Sequence, residues 1–486
     1  MKKYWRYLLI VLLTCSMSGL HVWAANEAGL NNGFIVEPYL QLGNHPVQQK
    51  EESLELFWIT DSNQDLWEVK SKSPKQTHWL QQKPPQKSIL SYSVPEKLYL
   101  WDNPIDGLEA GEKFQYKVSK NGKEIFAGEA VARKADGQSF RVVLFGDTGA
   151  DTLAEKKVVY QSYLKKPDFL VILGDIAYSF GRLSEYLSKV FPIFGSSEAS
   201  AQLGAPLLQS TITLPVIGNH DIAYGDNKSG INFDKLRDAL AFYQVWSAPL
   251  NGPLKNRSEK DIPKLLGNEE NIGRYIQSTD GRYPIMSNYS FNYGNSHWLI
   301  LDANPYMSWT NQKLRNWVRQ DLTTNKEKTW KFVCFHQPGF SIDKVHNAEQ
   351  RMRLLSDIFQ DCGVDIVFSG HAHNYQKSFP LLFRPVRTGG NPSANPDGTV
   401  SGEFVLDKLF DGKKNLHPIG VIYIVSGAGG AALYGAAPNL PGATNFIDKF
   451  NASTHSLTLC EFKQNELKLS QISEDGQLID SFKIQK

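Results

Sequence analysis

Hydrophobic and polar positions follow two different rhythms along this chain. Between about residues 33 and 135 the rhythm is alternation. Leu54, Leu56 and Trp58 alternate with polar neighbours, and so do Phe114, Tyr116 and Val118, which is the period of half-buried strands. Asn121-Gly122 predicts a two-residue hairpin turn, followed by a strand near 124–130. Loops containing Pro74, Pro84, Pro85 and Pro95 separate the runs. Short strands over roughly 100 residues predict a small all-β sandwich, whose aromatic residues are read as core.

From about Ser139 the rhythm changes. Apolar runs of strand type occur at 141–145, 169–173, 212–217, 331–335 and 364–368. Helical spacings lie between them: Val158, Val159 and Leu164; Leu314, Trp317, Val318 and Leu322; then Leu354, Leu355, Ile358 and Phe359, stopped by Gly363. Strands alternating with helices predict an α/β domain over 139–486. Two more strands are expected at 289–291 and 298–301. The tail, with a turn at Asp475-Gly476, reads as an antiparallel meander. Two long irregular stretches, about 225–285 and 381–418, are expected to be functional loops or insertions.

Composition narrows the class. Hydrophobic residues make up 41% and charged residues 21% of 486, with a net charge of +2. That excludes a disordered chain and a nucleic-acid binder with a broad basic face. Lys2, Lys3 and Arg6, an apolar run at 8–13, and Val22-Trp23-Ala24 predict an export signal over 1–24. Its removal takes three positive charges and turns +2 into −1. An uncleaved anchor is the alternative, but the run falls short of the about 20 residues of a membrane helix. A lipid-modified Cys15 is another, with Leu13-Thr14 a poor fit before it. The expected destination is the periplasm, the cell surface or the medium. No later segment reads as transmembrane. The remaining cysteines, Cys334, Cys362 and Cys460, are odd in number and far apart, so they are read as small buried apolar residues.

Each apolar run ends in residues that bind metals. The first leads into Gly146-Asp147-Thr148-Gly149 and the second into Gly174-Asp175-Ile176-Ala177-Tyr178. The third leads into Gly218-Asn219-His220-Asp221, the fourth into His336-Gln337-Pro338, and the fifth into Gly370-His371-Ala372-His373. Taken singly, a Gly-Asp after a strand is a turn or helix cap, and a His-x-His is a surface or core pair. Five such clusters in order, each after a strand, point instead to one site at the carboxyl ends of the strands. The donors are carboxylate, imidazole, amide and phenolate, without thiolate, which suits iron, manganese or zinc. So many donors exceed one ion's shell, and Asp175 can bridge two ions about 3.5–4 Å apart.

These blocks resemble those of the purple acid phosphatases, within the calcineurin-like metallophosphoesterase superfamily. The family order GDxG, GDxxY, GNH, xxxH, GHxH stands here as GDTG, GDIAY, GNHD, VCFH and GHAH. The segments 289–302 (YSFNYGNSHWLILD) and 425–434 (VSGAGGAALY) fit as well. The β-rich part, with Pro38-Tyr39-Leu40 and the segment 108–118, is similar to the fibronectin-III-like domain that precedes many of these enzymes. The resemblance implies an α/β (α+β) fold: a four-layer β-sandwich flanked by helices, preceded by the small all-β sandwich at 33–135. It implies that Asp147, Tyr178 and His373 bind Fe³⁺, that Asn219, His336 and His371 bind a divalent ion (Fe, Zn or Mn), and that Asp175 bridges them. Many superfamily members carry a histidine where Gly149 stands; here Tyr178 is present instead. Binding as phenolate, with a free pKa of about 10, calls for a strong Lewis acid such as Fe³⁺. His220 and His346 are implied to hold the phosphate and protonate the leaving group, although some relatives have a histidine pair where this chain has His346-Asn347. Asp221 is expected either to orient a neighbouring histidine or to stabilise its loop.

The expected function is hydrolysis of small phosphate monoesters by attack of a metal-held hydroxide. The alternatives are a phosphodiesterase of the same fold, its pocket shaped by 225–285, and an exported binding protein that has lost activity. No Gly-x-Ser-x-Gly elbow supports a serine hydrolase, and Cys334 reads as packing.

Overall fold

The computed structural model of the protein describes residues 33–90, 97–223, 230–438 and 444–486. The expected export signal lies outside them. Two large sheets dominate. The strands Phe140–Phe145, Phe169–Ile172 and Ile212–Pro215 run parallel, with Phe169 opposite both Val142 and Ile212. They are buried on both faces, which is why they read as unbroken apolar runs. The tail meander Ser456–Lys463, Glu466–Ser473 and Leu478–Gln485 adds antiparallel to one side. The turn at Gly476 takes φ 83°.

The other side of this sheet continues into the N-terminal part. Strand Val36–Gln41 pairs parallel with Ile212–Pro215, Gln41 opposite Thr213, and carries Glu51–Thr60, Tyr99–Glu109 and Gln86–Ile89 beyond it. The result is one ten-stranded sheet. Adding strands there covers backbone groups that an edge would leave open. The N-terminal part places a second sheet over this one, with strand order Leu80–Gln81, Trp67–Lys72, Lys113–Lys120, Lys123–Val131. Trp58, Trp67 and Trp101 fill the space between, with the rings of Trp58 and Trp101 stacked at 6.2 Å. At the predicted hairpin, Asn121 and Gly122 take φ 50° and 77°, as a type I′ turn requires.

The second large sheet has seven strands. Ser296–Ile300, Trp330–Cys334, Ile366–Ser369 and Ile422–Ser426 are parallel, with antiparallel Tyr289–Tyr293 at one edge and Tyr375–Ser378 and Ile447–Asn451 at the other. It packs on the ten-stranded sheet through aromatic rings. Phe169 lies 4.5 Å from Tyr293 and 5.3 Å from Trp298, and Phe462 lies 5.6 Å from Phe332. Helix Leu153–Leu164 backs the first sheet. Helix Gln312–Thr324 backs the second, burying Leu314, Val318 and Leu322. The order helix, sheet, sheet, helix is the four-layer sandwich expected.

The two irregular stretches contain structure that the sequence did not announce. Within 230–285 lies the helix Glu269–Ser278, capped by Asn268 and burying Ile272 and Tyr275. Within 381–418, Leu381–Pro385 and Gly402–Leu406 form an antiparallel pair. Cys334 and Cys460 are buried as expected, whereas Cys362 is half-buried.

Arg133 joins the N-terminal part to the second sheet. Its guanidinium meets Glu52 at 2.7 Å and donates to the carbonyls of His45 at 2.9 Å and Asn292 at 3.1 Å. Both charged side chains are fully buried. Removing one partner of such a pair strands the other in low dielectric. Arg133→Met is therefore expected to cost about 3–5 kcal/mol in urea unfolding of the full chain, and Arg133→Met with Glu52→Met considerably less. A loss below about 1 kcal/mol in the single variant would show that the pair does not staple the two parts.

Candidate metal centre

The motif loops leave the carboxyl ends of five strands, three from the ten-stranded sheet and two from the seven-stranded one. The site therefore lies where the two sheets meet, not at the crevice of one sheet. The loops turn so abruptly that Asp147, Asp175 and His371 take φ 59°, 49° and 67°. Side chains rarely adopt that region, and such strain collects at functional sites. Glycine is required beside them. A Cβ on Gly174 would lie 2.5 Å from His336 Nδ1, and one on Gly218 would lie 2.2 Å from Asp175 N.

Two groups of side chains result, with Asp175 touching both. In one, the Tyr178 hydroxyl lies 3.4 Å from Asp147 Oδ1, 3.2 Å from Asp175 Oδ2 and 3.1 Å from His373 Nε2. In the other, His336 Nε2 lies 3.1 Å from Asp175 Oδ2 and 3.3 Å from His371 Nδ1. Asn219 is buried on the neighbouring loop, and its side-chain oxygen accepts from Gln337 Nε2 at 3.5 Å.

Backbone carbonyls fix the imidazoles. His336 Nδ1 is 2.7 Å from Leu173 O, and His373 Nδ1 is 2.8 Å from Ala432 O. A carbonyl only accepts, so the proton sits on Nδ1 and the Nε2 lone pair of each ring points into the cluster. There it meets carboxylates, the Tyr178 oxygen and the Nδ1 of His371. Lone pairs facing lone pairs need a cation or a proton between them. Asp175, His336 and His371 bring ligand atoms within 4.8 Å of one another. The donor set fits metal ions.

The electrostatics agree. Burial disfavours the His336 imidazolium, but Asp175 and Asp147 outweigh it and lift its pKa to about 10. Burial, reinforced by the two carboxylates, pushes the Tyr178 phenol well up. Burial lowers His371 and His373 to about 4. Asp175 is held down by its histidine neighbours against burial, whereas Asp147 is held up by burial and by Asp175.

The two further histidines flank the two groups. The His220 ring lies 4.2 Å from Tyr178, with Nδ1 2.9 Å from Ser179 O and Nε2 3.8 Å from Asp175. The His346 ring lies 3.8 Å from His371. Asp221 is a loop staple: its carboxylate accepts from Gly218 N at 2.8 Å and Ile176 N at 3.0 Å, tying two motif loops together. Cys334 is fully buried, and burial raises its thiol well above the usual range, so it offers no nucleophile.

Two functional carboxylates escaped the sequence reading. Glu349 links His346 and His371, at 2.9 Å to His346 Nδ1 and 3.4 Å to His371 Nε2. Its signal was the spacing of three from His346. Glu155 accepts from Thr148 Oγ1 and Gly149 N with one oxygen, and from Ala150 N and Asp151 N with the other, all within 3.1 Å. It grips the whole first motif loop. Its signal was Thr152-x-x-Glu155, the pattern of a helix start.

Residues 140–375 match the calcineurin-like phosphoesterase family. Purple acid phosphatase 21 of Arabidopsis thaliana is 33% identical over 37% of this chain and 40% of its own length. Purple acid phosphatase 23 of the same plant is 24% identical over 56% of each. A third relative, named probable inactive purple acid phosphatase 1, is 24% identical over 81% of this chain and 60% of its own. The chain thus spans about half the length of the curated relatives it matches. Among solved structures, purple acid phosphatase PPD1 from yellow lupin seeds superposes with a TM-score of 0.64 at 18% identity, over 92% of this chain and 74% of the other. The structure of PhoD superposes with a TM-score of 0.56 at 12% identity, over 95% and 94%. Both likenesses are of fold. Residues 140–375 are a calcineurin-like phosphoesterase domain, in a chain homologous to the purple acid phosphatases.

Proposed function

We propose that this chain is an exported acid-phosphatase-type enzyme that hydrolyses phosphate monoesters at a centre of two metal ions. The observation that carries the reading is the tautomer lock: His336 and His373 are each tied at Nδ1 to a backbone carbonyl, so that both Nε2 lone pairs face the cluster. Asp147, Tyr178 and His373 would hold one ion, for which the phenolate favours Fe³⁺. Asn219, His336 and His371 would hold a divalent Fe, Zn or Mn, with Asp175 shared between the two. When bound, the pair supplies Lewis-acid neutralisation of the phosphoryl oxygens and acidifies a water.

The remaining work belongs to the protein. His220 keeps Nε2 toward the site because its Nδ1 is engaged at Ser179 O. His346 does the same through Glu349 Oε1. Each Nε2 can hold a phosphoryl oxygen or pass a proton to the departing alkoxide. Export is supported by the pattern of residues 1–24; among the described residues no helix is long and apolar enough to cross a membrane. The division at 33–135 and 139–486 follows the change of sequence rhythm. One relative carries the word inactive in its name, but every candidate ligand is present here, which favours turnover.

Three outcomes follow. The protein from residue 25 is expected to cleave a chromogenic phosphomonoester faster than the matching diester at acidic pH. A diester preference would instead favour the phosphodiesterase reading, with its pocket beside 225–285. Asp175→Asn is expected to lower kcat at least about a hundredfold and to reduce metal content, because it weakens the shared ligand; full turnover with full metal content would sink the assignment. Metal uptake by the apo-protein at pH 7 is expected to release at least about two protons, from His336 and Tyr178, and more to the extent that Asp147, held up by burial, keeps its own. His336, lifted to about 10, is protonated at neutral pH, so affinity should climb as pH rises from 5 to 8. Calorimetry in buffers of different ionisation enthalpy reads the count, and release of none would mean these two groups are not ligands.

A further inference from the structure

Two arginines stand two residues apart after His346, and they are used in opposite ways. Arg353 is buried, donates to Gly339 O at 2.6 Å, and lies over the ring of Phe340 at 4.7 Å. Its guanidinium is committed to packing. Arg351 keeps about a quarter of its side chain exposed. Among the described residues its hydrogen-bond and ion-pair contacts are long, 3.5 Å from Nη1 to Ala303 O and 4.0 Å from Nη2 to Glu349 Oε2. A guanidinium carries five N–H donors in a planar fork, so most of this one's capacity is unspent.

Its place gives that capacity a use. Glu349 contacts both His346 and His371. Ala303 precedes Asn304, whose side-chain oxygen accepts from Gln337 Nε2 at 3.0 Å, and Gln337 reaches Asn219. Arg351 therefore stands beside Glu349, at the outer edge of the group of His336, His371 and Asn219. We infer that Arg351 is a specificity residue: its guanidinium grips a second anionic group, carboxylate or phosphate, carried by the substrate beyond the ester being cleaved. Arginine suits that task because its fork matches both oxyanions bidentately. The inference rests on the phosphoester reading of the site and narrows it to esters with a second negative charge.

The test measures binding, so it does not depend on turnover. Metal-loaded full-length protein is titrated with three non-hydrolysable probes: methylphosphonate, phosphonoacetate and methylenediphosphonate. Wild type is expected to bind at least one of the doubly charged probes about tenfold or more tightly than methylphosphonate, as one charge-assisted contact allows. In Arg351→Met that ratio should fall about tenfold, and Arg351→Lys should keep part of it. Phosphonoacetate alone responding assigns a carboxylate; methylenediphosphonate alone responding assigns a phosphate. No ratio in wild type, or a ratio unchanged in Arg351→Met, overturns the inference, since a merely structural arginine would shift all three probes alike. If the ratio collapses as expected but no phosphate ester is ever hydrolysed, the hydrolase reading falls while Arg351 keeps its role as an anion contact.

Discussion

Everything at this site depends on lone pairs being made to face one another. Asp147 and Asp175 are buried together, and the Nε2 atoms of His336 and His373 point at them. Burying like-signed electron density in low dielectric is unfavourable unless a cation or proton stands between the groups. Asp175 and Asp147 draw a proton toward His336 and lift its pKa to about 10 against burial. Metal ions answer the same need with more charge and fixed geometry. Affinity for metal and the strain of the free site are thus two views of one arrangement.

Holding it together takes anchors outside the cluster. Glu155 gathers the donors of residues 148–151, so the loop bearing Asp147 cannot relax away. Asp221 ties the loop of Asp175 to that of Asn219. The Leu173 and Ala432 carbonyls fix the imidazole tautomers. Each anchor uses groups that would otherwise be unpaired at the ends of buried strands. The fold supplies these ends at the meeting of two sheets, so neither sheet alone could build the site.

The ligand blocks were legible because their chemistry is local: a strand, a glycine and a donor occupy a few consecutive positions. The parallel core strands were legible because burial on both faces leaves an unbroken apolar run. Glu349 and Glu155 were not, since an acid at helical spacing is usually solvated, and only the fold brings these two against imidazole and backbone. Helix Glu269–Ser278 escaped because it is only ten residues long and offers just Ile272, Tyr275 and Ile276 as large apolar positions. The pair Leu381–Pro385 and Gly402–Leu406 escaped because its partners are separated by a loop rich in Gly and Pro. The continuity of the ten-stranded sheet could not be read at all, because the register of Gln41 against Thr213 joins residues far apart in sequence.

That continuity bears on what the N-terminal part does. A free binding module would be linked to the phosphoesterase domain by an exposed, polar connection. Here strand Val36–Gln41 is hydrogen-bonded into the ten-stranded sheet beside the strand that leads to Asn219. The same strand holds the segment after that motif: Tyr39 OH donates to Val245 O at 2.8 Å, and Gln41 Oε1 accepts from Ser247 N at 3.1 Å. Arg133 then ties the second sheet to the same body through Asn292 O. The N-terminal strands thus buttress both the loop that carries Asn219 and His220 and the insertion that follows it. Their contribution to the site is rigidity: ligands drawn from two sheets stay in register only if the sheets cannot slide, and the buried Arg133–Glu52 pair with its carbonyl contacts opposes that motion.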